Sequence, residues 1–119
     1  MVSILVAAAV FAANQAGTTP PEDALANAQG ELSAARQAYI DARKSRSGLK
    51  EAALHYGEVA VNSPALMPGE KYPLSLALFR QVLEMDPDNE TAREWENTIL
   101  TIYKSLGREP ATYDLGSIR

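Results

Sequence analysis

The chain has 119 residues, 46% of them hydrophobic and 22% charged, which suits one small domain if nearly all of it joins a single core. A net charge of -4 and a pI of about 4.9 exclude the positive field that a phosphate backbone demands, so no nucleic-acid partner is expected. Cysteine is absent, which excludes disulfides, thiolate chemistry and cysteine-held metals.

The first 17 residues differ from the rest. Val2 to Ala13 carries no charge and ends in small residues, with a cleavage point near Val10 to Ala13, as in the apolar core of a secretory signal peptide. The run is shorter than the roughly 20 apolar residues of a membrane span, and no Lys or Arg precedes it. A short uncleaved anchor, or an apolar helix packed into the fold, is the alternative. The signal reading puts the protein in the periplasm or outside the cell, with membrane contact only through this segment if it is retained.

After it, Thr19-Pro20-Pro21-Glu22 has capping-box chemistry, in which a hydroxyl and a carboxylate three residues apart satisfy the free N–H groups of a helix start. The first helix carries Leu25, Ala28, Leu32, Ala35, Tyr39 and Ala42 as one stripe and ends at Ser45 to Gly48. A second helix spans about Leu49 to Val61, with Ala53, Tyr56 and Ala60 on its apolar side. Gly57 inside it implies a close neighbour, because an interior glycine otherwise costs about 1 kcal/mol relative to alanine. A loop from Asn62 to Lys71 follows, with Leu66 and Met67 expected to tuck inward.

The third helix is expected from Tyr72 to Met85, with Pro73 in its first turn and Leu76, Phe79, Val82 and Leu83 on a wide apolar face. Asp86-Pro87-Asp88-Asn89 stops it. The fourth, from about Asn89 to Leu106, aligns Ala92, Trp95, Ile99, Ile102 and Leu106, and Gly107 suits a left-handed terminus. The polar tail from Glu109 to Arg119 is expected to be extended or loose. The fold class is all-α, with about four helices in a domain spanning residues 18–108.

The second and third helices resemble a tetratricopeptide repeat. Ala53-x-x-Tyr56-Gly57-x-x-Ala60 matches the first half of that motif, and Ser75-x-x-x-Phe79-x-x-Val82-Leu83 followed by Pro87 matches the second. The separation of Gly57 from Phe79 exceeds the usual one by about six residues, which the loop supplies. The resemblance implies antiparallel helix hairpins in which Gly57 lets the third helix approach and Phe79 fills the space. The fourth helix then stands as a following half repeat. It further implies a protein or peptide partner held on the inner faces of first helices, by His55, Glu58, Asn97 and Lys104.

Catalytic and metal motifs are weak. Asp86-x-Asp88-x-Glu90 begins like a calcium loop, but Thr91 and Asn97 stand where that loop needs Gly and Glu, so the acids read as caps for the fourth helix. His55 is the only histidine, and no motif supplies it with a nucleophile or an orienting acid. No enzyme activity, cofactor or metal is expected. Basic residues around the first hinge (Arg36, Arg43, Lys44, Arg46, Lys50) oppose acids at the second (Glu84 to Glu96); they read first as suited to the end of the first helix, and the pattern could also steer a partner or a second copy. The leading expectation is an exported adaptor or scaffold. The alternative is a subunit of an envelope or filament assembly packing through Trp95, Tyr103 and the N-terminal segment, and homo-oligomerisation is left open.

Overall fold

The computed structural model describes residues 22–119, and the expected signal segment and Thr19 to Pro21 of the expected capping box lie outside them. Four α-helices follow in order: α1 Glu22–Ser45, α2 Leu49–Asn62, α3 Pro68–Met85 and α4 Glu90–Ser105, then a short 3-10 turn at Leu115–Ser117. No strand occurs among the described residues. None of these helices is long and apolar enough to cross a membrane.

Each helix packs on the next, and two pairings in opposite order show α2 and α3 to be antiparallel. Tyr39 of α1 meets Tyr56 of α2 with ring centroids 5.9 Å apart. Toward the start of α2, Lys50 reaches Asp86 at the end of α3 (3.6 Å), whereas Gly57 further along lies against Phe79. Phe79 in turn stacks on Trp95 of α4 at 5.9 Å with planes only 6° apart. A hydrogen bond from the Tyr39 hydroxyl to Gln81 Oε1 (2.8 Å) ties α1 directly to α3.

The core draws Ala35, Tyr39 and Ile40 from α1, Ala53, Tyr56 and Ala60 from α2, and Leu76, Leu78, Phe79 and Val82 from α3; α4 adds Ala92 and Ile99. Gly57 is the packing key. A Cβ built there would lie 2.9 Å from Phe79 Cε1, so hydrogen is the only side chain that this approach of α2 and α3 admits.

The Asp86 to Asn89 junction reverses the chain between α3 and α4. Asn89 caps α4, its Oδ1 accepting from the Ala92 N–H at 2.9 Å, while its own N–H donates to the Asp86 carbonyl at 3.0 Å. Arg93 donates to the Pro87 carbonyl and closes the turn from the far side. The cap is thus the amide of Asn89, and Asp86 supports it by accepting from Asn89 Nδ2 at 3.3 Å.

Several expectations need correction. α3 starts at Pro68, four residues before the expected Tyr72, because proline at a first helical position gives up only an N–H that would be unpaired anyway. Pro73 therefore lies inside the helix. Met67 does not tuck inward but is 75% exposed as the residue before α3, and Leu106, expected on the apolar side of α4, is 62% exposed. The tail is not loose: Ile118 is buried in the core, and the guanidinium of Arg43 donates to the carbonyls of Leu115 (3.0 Å) and Ile118. Lys50 of the basic hinge is paired with Asp86 of the acidic one.

Candidate functional site

α1 has 24 residues and α2 has 14. At 1.5 Å per residue, the first turns of α1 project past the end of α2. The corner so formed is an open cleft of about 580 Å³. Asn27 and Glu31 line it from α1, His55, Glu58 and Val59 from α2, and Pro64 from the connection to α3.

Local sequence explains each position. Asn27 and Glu31 are one turn apart and flank the buried Ala28, so they border the apolar stripe without joining it. His55 and Glu58 are three apart on α2 and share a side, while Tyr56, Gly57 and Ala60 face the core. His55 is exposed and Glu58 half-buried. Below them Ser63 is buried, and its hydroxyl accepts from the Ala65 N–H at 3.1 Å, which holds the floor of the cleft. Two carboxylates, an imidazole and the amides of Asn27 and Asn62 beside Val59 and Pro64 can accept hydrogen bonds and attract a cation. They form no metal set, since no cluster of three His, Asp or Glu placed to hold an ion occurs among the described residues.

The other residues singled out from sequence lie elsewhere. Asn97 and Lys104 are exposed on α4 and line neither this cleft nor the next. Trp95 is half-buried and stacked on Phe79, so its ring is largely engaged within the fold. Tyr103 walls a separate, smaller cleft of about 200 Å³ with Tyr72, Pro73, Ile102 and Leu106. The six residues therefore divide among the α1–α2 corner, the α4 surface and the α3–α4 end. Asn27 and Glu31 were not singled out from sequence. Their i, i+4 spacing along one edge of the stripe that contains Ala28 is the signal that could have found them.

Burial pushes the pKa of the Tyr56 hydroxyl up, with Tyr113 adding to the rise, Arg36 opposing it and Tyr39 adding a little more. That hydroxyl belongs to the junction of α1, α2 and the tail rather than to the cleft.

No family model matches the sequence, and no curated protein or solved structure matches it either.

Proposed function

We propose that this chain is an exported interaction module, similar to tetratricopeptide-repeat proteins, that holds a protein or peptide segment in the corner between α1 and α2. The observation that carries the reading is the convergence of His55 and Glu58 with Asn27 and Glu31 on one open cleft. The contact of Gly57 with Phe79 supports the repeat-like hairpin. With Glu31 and Glu58 on its walls and a net charge of -4 behind it, the cleft favours a segment bearing Lys or Arg and free N–H groups. The role involves no catalytic step and no cofactor. Export rests on the leader-like residues 1–17 and implies a periplasmic or extracellular partner.

The test is selection of a displayed random-peptide library on the full chain and on a His55→Ala/Glu58→Lys variant. Peptides enriched in basic residues should be retained by the first and lost by the second. Enrichment of the same peptides on both proteins contradicts the assignment.

A second reading, an assembly subunit, draws on the α3–α4 end, where Tyr72, Ile102, Tyr103 and the exposed Leu106 leave an apolar cleft on the last helix. Light scattering on the full chain and on Leu106→Glu separates the two. An oligomer dissolved by that substitution favours assembly, and a monomer in both cases favours the adaptor.

A further inference from the structure

The tail is short and polar in sequence, yet it sits on the helices as a ligand would. From Gly107, whose φ of 66° turns the chain out of α4, residues 110–116 cross α3 opposite Leu76, Ala77, Arg80 and Glu84. The 3-10 turn at Leu115–Ser117 then brings the chain to the C-terminal end of α1. There Arg43 lies 5.3 Å over the ring of Tyr39 and donates to two main-chain carbonyls, those of Leu115 and Ile118. Asp114 closes the turn by accepting from the Gly116 N–H at 2.9 Å.

The manner of holding is that of peptide recognition. A fixed guanidinium reads main-chain carbonyls, which any sequence offers, while one side chain, Ile118 at 2% exposure, enters the core. Tyr113 and Leu115 are only partly buried against the core, and an open space of about 390 Å³ remains between residues 110–116 and α3. The fit is incomplete along α3 and complete only at the Arg43 end. Arg43 and Ile118 are 75 positions apart, so nothing local holds the segment in place once these contacts open.

We propose that the groove between α1 and α3 is a second peptide-binding site, closed in the free chain by its own C-terminal segment. Its ligand class is a short segment of another protein that presents an aromatic residue, an aliphatic residue two positions on and a second aliphatic three beyond that, the pattern of Tyr113, Leu115 and Ile118. Such a segment takes the two Arg43 hydrogen bonds and the Ile118 pocket as the tail leaves. This face differs from the α1–α2 corner, so the proposal stands or falls apart from the function proposed above.

The test uses full-length chains and a labelled synthetic peptide of residues 110–119, read by fluorescence anisotropy. An Ile118→Asp chain, checked for helicity by circular dichroism, should bind the peptide at least ten-fold more tightly than the unaltered chain, whose tail competes. Adding Arg43→Ala should abolish that binding. A folded Ile118→Asp chain that binds no better than the unaltered one, or binding indifferent to Arg43, overturns the proposal. Should Ile118→Asp not fold, thiol reactivity decides, because the chain has no cysteine of its own. Ile118→Cys should react with a disulfide reagent at least ten-fold faster than Ala60→Cys in the core, since the tail opens without the helices. Equal rates would mean that the tail opens only with the whole fold, and the site would not exist.

Discussion

Two helix-interior glycines, Gly30 and Gly57, give a matched pair of substitutions with opposite predicted signs. In an unobstructed helix, replacing glycine by alanine gains about 1 kcal/mol, because alanine loses less backbone freedom on folding. Gly30 meets that condition: nothing lies within 4 Å of a Cβ built there. At Gly57 the same Cβ comes within 2.9 Å of Phe79 Cε1, 3.0 Å of Cζ and 3.2 Å of Cδ1. Phe79 cannot withdraw, being wholly buried and stacked on Trp95 on its other side. Overpacking of this kind costs about 1–3 kcal/mol, which outweighs the helical gain. Gly57→Ala should therefore lose about 1 kcal/mol while Gly30→Ala gains about 1, a separation of about 2 kcal/mol. Urea unfolding followed by circular dichroism resolves this, because with a slope of about 2 kcal/mol/M the two midpoints lie about 1 M apart. Phe79→Leu, which removes the ring, should lessen the penalty of Gly57→Ala in the double variant. Equal stabilisation at both glycines would refute the close approach of α2 and α3.

Three further outcomes follow from single contacts. Ser75 is fully buried on α3 with no hydrogen-bond partner for its hydroxyl among the described residues, so Ser75→Ala should raise stability by about 1 kcal/mol in the same urea assay. Asn89→Ala removes the α4 cap and should cost about 1 kcal/mol, whereas Asn89→Asp should keep most of it. Tyr56 has a folded pKa above its ordinary 10.0, so the advantage of its protonated hydroxyl is fully present below that pH and is lost as pH rises through the raised value. Tyr56→Phe should accordingly flatten the fall in stability above about pH 10, and an unchanged alkaline limb would contradict the burial of that hydroxyl.

Helix existence was legible because apolar spacing of three and four residues persists in each segment, and a close neighbour for Gly57 was legible because a mid-helix glycine needs a reason, with Phe79 named through the tetratricopeptide resemblance. The start of α3 was not. Pro68 and Gly69 read as loop signals, yet proline at the first helical position favours the helix, and the adjoining glycine is tolerated there. Ile40 lies off the stripe of α1 but is buried, because α1 is covered on more than one side. The tail was least legible: Ile118 stands in a polar, aperiodic segment, and its anchor, Arg43, is a basic residue at a helix end where a favourable dipole interaction already accounts for it. His55 and Glu58 were singled out only through the tetratricopeptide resemblance, and Asn27 and Glu31 not at all, since their place in the cleft depends on how far α1 projects past α2. Asn97 and Lys104 were grouped with them by a repeat register that α4, with its own spacing, does not bring to the same corner.

The α1–α2 corner is tested most directly by titrating the isotope-labelled full chain with the tightest-binding basic peptide from the library and following backbone amide shifts by NMR. The account predicts changes centred on Asn27, Glu31, His55 and Glu58, with α4 and the tail unmoved. Shifts centred instead on Tyr103 and Leu106, or none at saturating peptide, would contradict it.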